Sequence, residues 1–432
     1  MSNIAPQNLV CYRTFHLEKP WSIESYKQVG GYSVWKDVVS GKITPEQVIQ
    51  AIKESMLMGR GGAGFPTGLK MSFVNRNKPG QKYLVCNSDE SEPGTSKDRF
   101  ILSKNPHQLI EGMAIAAYTM GATVAYNYMR GEFMHEYNRC EAALKEAINE
   151  GLIGENVLGS KITIHIHNLI GAGAYIVGEE TAMLESLEGK RAMPRYKPPF
   201  PANFGLYGKP TTVNNTESIA SIPVVLEKGG KWFNALGTEK SGGTKIFSVS
   251  GHIEKPGVFE VPMGIPFKDL LALCGGMRRN RGCKAVIPGG SSMKIVPGDL
   301  MMKAEMSYEG MKAVNSAIGS GGVIVMDDHT CMVEALTCVV KFYRDESCGQ
   351  CTPCREGTGW LHQMLCDISA GRGKPGDVDR LVDVANKIEG KTICAFGEAV
   401  AWPVQSFVEH FRDEFEYYCK HGHSKVKGIH HV

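Results

Sequence analysis

Residues 106–129 read PHQLIEGMAIAAYTMGATVAYNYM, and how that stretch is parsed decides the class of fold. Its part from 112 to 129 is the longest run without a charge, long enough to suggest a membrane span. Most of it is Ala, Gly, Thr and Tyr, whose transfer into hydrocarbon gains little. It reads instead as a buried helix, PHQLIEGMAIAAY, followed by a strand, TVAYNYM. YLVCN (83–87) is a strand before it; HEYNRCEAALKEAINEG (135–151) is a helix and KITIHIH (161–167) a strand after it. Strands alternating with helices imply a parallel α/β layer.

Upstream, Thr44-Pro45-Glu46-Gln47 opens a helix: Thr as N-cap, Pro in the first turn, Gln three residues after the cap. Val48, Ile49, Ile52 and Met56 mark one face of it. This reads as the first helix, with some 40 residues ahead of it. A second glycine stretch, GAGAYIVGEETAMLESLEG (171–189), turns into a further helix, and the α/β domain closes near residue 240. From 241 to 327 the pattern changes to short strands, TKIFSVSGHI, GVFEVPMG and KAVIPGG, with one helix, PFKDLLALCGG. From 328 to 432, MVEALTCVVKFYRDE, GTGWLHQMLCDISAG, DVDRLVDVANKIEG and AWPVQSFVEHFRDEFEYYCKHG are four helical periods, which predicts a helical bundle. The tail HGHSKVKGIHHV reads as a frayed end.

The 432 residues carry a net charge of +3, so electrostatics offers no case for nucleic-acid binding. The N-terminus MSNIAPQNLVCYRTF lacks the pattern of a signal or transit peptide, so a cytoplasmic chain with reduced thiols is expected. Thirteen cysteines, an odd count, also argue against a disulfide framework.

Three of them stand at a pitch of three in ESCGQCTPCREG: Cys348, Cys351 and Cys354. Structural zinc usually takes two separated C-x2-C pairs, and a disulfide would leave one thiol over. An iron–sulfur cube suits the triple better, because one loop can wrap it while a remote thiolate completes it. Cys366 falls inside a helical period with Trp360, Leu361 and Met364, and Cys419 lies near the chain end. Cys394, in KTICAFGEA between two helices, is the choice for fourth ligand.

GRGGAGFPTGLK (59–70) places five glycines in ten residues. It follows a helix, so it is neither a Rossmann fingerprint nor a Walker loop. Either it makes a sharp turn, or its backbone approaches something flat or anionic, with Arg60 and Lys70 to receive phosphate oxygens. After the first strand, CNSDESEPG gathers Asp89, Glu90 and Glu92. That is a solvated acidic loop, or a set of acceptors for ribose hydroxyls and flavin atoms that would repel a 2′-phosphate. Phe65, Phe73 and Phe200 are core residues or a platform for adenine.

In order along the chain, GRGGAGFPTGLK, DESEPG, GAGAYIVGEETA, KPPFPA, GKPTTVNN, ESCGQCTPCREG and WPV closely resemble the flavoprotein NADH-oxidising subunit of respiratory complex I. The resemblance implies a multidomain α/β protein: a Rossmann-like FMN domain, a small ubiquitin-like β-grasp α+β domain, and a C-terminal four-helix bundle carrying a [4Fe–4S] cluster. It implies FMN on Gly59, Arg60, Gly61, Gly62, Lys70, Asn87, Asp89, Glu90, Tyr175, Gly178, Glu179, Glu180, Asn214 and Asn215. NADH would use Gly61, Gly62, Ala63, Gly64, Phe65, Phe73, Glu92, Glu180, Lys197 and Phe200. The cluster would be held by Cys348, Cys351, Cys354 and Cys394. No side chain is required as a catalytic acid or base on the nicotinamide side, since hydride passes directly between cofactors. Implied partners are a small thioredoxin-like [2Fe–2S] subunit and a large iron–sulfur subunit, on the inner face of a bacterial plasma membrane without insertion into it. NAD-linked hydrogenases and formate dehydrogenases share the motifs and are the nearest alternative. Met71, Ser88 and Val177 stand where family members often have Trp, Ala and Cys.

Overall fold

The computed structural model describes residues 7–426; the tail histidines from 427 onward lie outside the described residues. In chain order, α1 (Pro45–Glu54) opens with the expected capping box, Gln47 N–H donating to Thr44 Oγ1 and Thr44 N–H to Gln47 Oε1. Two short helices, Ile23–Gln28 and Ser33–Val39, precede it, so it is not the first. With six and seven residues each, they are too short for a periodic apolar stripe to show.

The elements that follow are α2 (Thr67–Ser72), β1 (Tyr83–Ser88), α3 (Asp98–Lys104), α4 (Pro106–Met120), β2 (Val124–Met129), α5 (Met134–Asn149), β3 (His165–Ile170), α6 (Glu180–Leu187), β4 (Thr211–Asn215) and α7 (Thr216–Lys228). The four strands form one parallel sheet in the order β3-β2-β1-β4. The uncharged stretch is therefore α4 and β2, with Gly121 ending the helix at φ 72°. Helix α4 is buried on nearly every side because α7 lies against it. The approach requires Gly112, where a Cβ would stand 2.2 Å from the Ile219 carbonyl oxygen. Among the described residues no helix is long and apolar enough to cross a membrane.

Strand β3 sits later than KITIHIH. Ile164 pairs with Gly154 outside the sheet, and pairing with β2 begins at His165 opposite Val124. The second glycine stretch makes a tight turn over Tyr175–Gly178 before α6 begins.

A second, five-stranded sheet has the order β6-β5-β9-β7-β8. Its elements are β5 (Thr244–Gly251), β6 (Gly257–Pro262), α8 (Phe267–Leu273), β7 (Cys283–Ile287), β8 (Val296–Pro297) and β9 (Gly322–Asp327). The central strand β9 lacks the alternation that marks a half-exposed strand, since five of its six residues are buried. Two further short helices, Gly298–Met301 and Tyr308–Ala313, accompany the expected one.

Then come α9 (Met332–Glu346), α10 (Thr352–Ser369), α11 (Asp377–Ile388) and α12 (Phe396–His421), packed on one another through a shared apolar core. α10 and α12 each start five residues before the expected periods at 357 and 401. Pro403 therefore lies inside α12, and Cys354 and Cys394 come to helix starts.

Candidate active site

The C-terminal ends of β1 and β4 open into a cleft, the usual place for ligands on a parallel sheet. It has two adjoining chambers, of 1190 Å³ and 510 Å³, which share Gly61, Ala63, Asn87, Gly178, Glu179 and Asn215 as walls.

The glycine loop closes on itself: Gly59 N–H donates to Phe65 O, and the Tyr308 hydroxyl donates to Gly59 O. A Cβ at Gly64, φ 64°, would meet the Tyr308 ring at 2.7 Å, so Tyr308 clamps the loop from the second segment. Phe65, Phe73 and Phe200 line the larger chamber and are 43%, 51% and 55% exposed, which takes them out of the core reading. Phe65 and Phe73 lie 5.9 Å apart. In the same chamber Lys70 binds Glu180 at 2.8 Å, and Lys197 binds Glu180 at 3.0 Å and Glu179 at 2.9 Å. Burial works to raise the Glu180 carboxyl, and the two lysines outweigh it and hold it below the usual range. The other oxygen of Glu179 caps α6.

The smaller chamber is acidic. Asp89, Glu90, Glu92, Asp98, Glu179 and Glu398 line it, against one lysine, Lys97. Lys97 is fully buried and saturated by Asp98 at 2.8 Å, Glu217 at 2.9 Å and Asn215 Oδ1 at 3.2 Å. Asp89 Oδ1 accepts from Ser91, but Oδ2 is buried without a partner. Burial pushes this carboxyl up to about 7. Asn214 Nδ2 and Thr212 Oγ1 on β4 are likewise buried and unpartnered on the wall of the larger chamber. Orphaned donors and an acceptor on a cleft wall leave hydrogen-bonding capacity that a ligand or ordered water satisfies. Together with the glycine cradle they fit the polar edge of a flat heterocycle.

Arg60 is placed elsewhere, and Glu90, on the wall of the smaller chamber, is turned to backbone donors. Arg60 is fully buried and donates to the carbonyls of Gly242 at 2.7 Å and Thr244 at 2.8 Å. Its guanidinium ties the glycine loop to β5 and does not face the cleft. The Glu90 carboxylate accepts from the N–H groups of Lys97, Asp98 and Arg99, so its charge is spent on the start of α3. Glu92 stands on the smaller chamber, away from the three phenylalanines. It accepts from the Tyr175 hydroxyl at 2.7 Å, Ser292 N–H at 2.8 Å and Ser291 at 3.3 Å. Tyr175 in turn packs edge-on against Phe342, Tyr343 and Phe396. Lys97 and Glu398, both on the wall, were not foreseen: a Lys-Asp pair or a glutamate in a loop between helices looks in sequence like a solvated one. Ser88 bonds to Asn127 and Thr216 at 2.6 Å each, which accommodates the hydroxyl at that position.

Cys348 and Cys351 lie in the loop before α10, and Cys354 lies in its first turn. Burial raises Cys354 to about 11 and Cys394 to about 12, and all four cysteines pack on the apolar core that the C-terminal helices share. Cys366 instead faces His362 on its own helix. Among the described residues no three His, Cys, Asp or Glu groups are gathered for a single ion. A cube takes one thiolate per corner and does not need them to meet at a point. Of the thirteen cysteines, Cys394 is the one on the cleft wall, where it lines both chambers.

A cleft with a glycine cradle, orphaned polar atoms and Cys394 on its wall suits a flavin and iron–sulfur oxidoreductase, and likeness to known proteins agrees. Residues 52–224 match the Nuo51 FMN-binding domain, 246–296 the SLBB domain, and 334–418 the NADH-ubiquinone oxidoreductase-F iron–sulfur binding region. The F subunit of the NADH-quinone oxidoreductase of Rickettsia bellii (strain OSU 85-389) is 49% identical over 408 residues, 94% of this chain and 97% of that protein. The F subunit of Rickettsia typhi is 52% identical over 85% of this chain and 88% of that protein, and the first F subunit of Rhizobium meliloti 52% over 85% and 86%. An NAD+-reducing [NiFe]-hydrogenase structure in the air-oxidised state superimposes with TM-score 0.79 at 36% identity. The match covers 87% of this chain and 63% of that one. The chain belongs to the F-subunit family of NADH-quinone oxidoreductases. It is an oxidoreductase flavoprotein with FMN and a [4Fe–4S] cluster as cofactors and NADH as substrate.

Proposed function

We propose that the chain is the electron-input subunit of a complex I assembly, peripheral to the inner face of a bacterial plasma membrane, beside a small [2Fe–2S] and a large iron–sulfur subunit. Its division would be 1–240 for FMN and NADH, 241–327 as a ubiquitin-like β-grasp domain, and 328–432 as a four-helix bundle with the cluster. The observation that carries this reading is the place of Cys394 on the wall of both chambers.

FMN would be held by Gly59, Gly61, Gly62, Lys70, Asn87, Asp89, Tyr175, Gly178, Glu179, Asn214 and Asn215, and the cluster by Cys348, Cys351, Cys354 and Cys394. When bound, the flavin accepts an electron pair as hydride and releases electrons singly. The chain supplies placement. Phe65, Phe73 and Phe200 offer apolar faces to the dinucleotide, with Glu180, Ala63 and Gly64 around it and Glu92 reached only from the smaller chamber, while Lys70 and Lys197 meet phosphate oxygens by exchanging them for Glu179 and Glu180. The glycine loop allows the close ring approach that hydride transfer requires. NADH:ferricyanide activity of the isolated chain, with iron and FMN counted per polypeptide, tests this. A colourless protein that takes up no flavin would refute it. The hydrogenase likeness supports a second reading, the same module in an NAD-linked hydrogenase; nickel in the purified native assembly would favour it.

A further inference from the structure

In the smaller chamber, Asp89 is the polar group that the fold leaves unfinished. Its Oδ1 has one donor, Ser91, and its Oδ2 is buried with none. A Cβ placed on Gly178, a wall of both chambers, would lie 3.9 Å from that oxygen, so Oδ2 points toward the shared wall. The cations that can neutralise a phosphate, Lys70 and Lys197, stand in the larger chamber. In the smaller one Lys97 is spent on Asp98 and Glu217. Arg130, which also faces Asp89, is spent on Glu132 and the carbonyl of Glu90. This chamber therefore suits the uncharged ring end of a flavin and disfavours an anionic one.

We propose that the Asp89 carboxyl gives the flavin ring its second proton as the ring is reduced, acting as a catalytic acid on the flavin side of the reaction. The proposal rests on the flavin reading above. NADH supplies two electrons and one proton as hydride, forming the C–H-derived N–H bond on one ring nitrogen and leaving NAD+. The Asp89 O–H bond breaks, its proton passes to the other ring nitrogen, and the carboxylate is reprotonated from water on reoxidation. The sum is NADH, flavin and one proton going to NAD+ and fully reduced neutral flavin. A protonated carboxyl donates to an unprotonated ring nitrogen, and the carboxylate accepts from the protonated one, so a single side chain complements both redox states. The groups around Asp89 keep it poised for this. Burial is the largest influence, Ser91 and Arg130 oppose it, and Glu132 and Glu346 reinforce it, leaving the carboxyl at about 7.

The test is a reduced-minus-oxidised infrared difference spectrum of the FMN-loaded full chain, with and without carboxyl-13C aspartate. The expected result is loss of a protonated-carboxyl band on reduction, shifted by the label, and absent in Asp89→Asn, whose reduced flavin then shows the ultraviolet spectrum of the anion. A flavin-loaded protein with no such band, with an unshifted band, or with the same band in Asp89→Asn overturns the proton role alone. If Asp89→Asn loses its flavin, the labelled wild-type spectrum decides by itself. A wild-type chain that takes up no FMN refutes the flavin reading instead.

Discussion

Replacing Gly178 by alanine adds one methyl group at the wall common to both chambers. The backbone there is not in the left-handed region, so alanine adopts it freely. The new Cβ would stand 3.5 Å from Asp89 O and 3.9 Å from Asp89 Oδ2, ordinary contacts, with the rest of its surroundings open. Stability without cofactor should therefore change by no more than about 0.5 kcal/mol. The methyl instead occupies the space of the bound ring. Overpacking a fitted site costs about 1–3 kcal/mol, which at roughly 1.4 kcal/mol per decade weakens FMN binding about 5- to 150-fold. Urea unfolding of the apo-chain and titration by quenching of FMN fluorescence measure the two quantities separately. Gly112→Ala is the opposite control: its Cβ would be 2.2 Å from a backbone oxygen of α7, so it should lower stability wherever FMN stands. An unchanged FMN affinity in Gly178→Ala would refute the placement of the flavin.

Cys394→Ala should lose the cluster and keep FMN, whereas Cys366→Ala should keep both; iron content and low-temperature EPR decide, and a normal cluster signal in the first variant defeats the ligand assignment. Glu180→Gln removes a carboxylate held between Lys70 and Lys197. The kcat/KM ratio of NADH over NADPH should fall about tenfold, or ~1.4 kcal/mol, and an unchanged ratio would place selectivity elsewhere. Asp89 is raised from 3.8 to about 7. A raised carboxyl contributes stability that is full below pH 3.8 and lost as pH rises through about 7, relative to a group that titrates normally. Asp89→Asn should thus stabilise the apo-chain at pH 8 by up to about 4 kcal/mol, with the gain fading toward pH 4, as read by urea midpoints at several pH values. A gain that does not depend on pH would show that Asp89 is not strained in the folded state.

Where a residue's own neighbours in the chain decide its state, sequence was enough. Thr44 and Gln47 cap a helix through bonds three residues apart, and the spacing of Cys348, Cys351 and Cys354 sets a local loop. The uncharged stretch parsed correctly because its composition, not its partners, excludes a membrane span. Strand β9 was missed because burial on both faces erases the alternation that marks a strand. Arg60 was misplaced for a related reason: it sits in a motif that faces the cleft, yet its side chain turns to carbonyls at 242 and 244, and Glu90, though on the wall, spends its carboxylate on the N–H groups of 97–99.

The sequence by itself determined the parallel α/β class, the three-residue pitch of Cys348, Cys351 and Cys354 and the family of motifs, since periodicity, spacing and composition are properties of the chain. Only the tertiary structure decided which charges remain free. Lys97 is neutralised by Asp98 and by Glu217, 120 residues away, and donates to Asn215 Oδ1, 118 residues away, while Asp89 is left with an unpaired oxygen. It also brought Cys394 to the wall of the cleft built by the first sheet. Coulomb energy and desolvation depend on distances through space, and those distances exist only once the segments have packed.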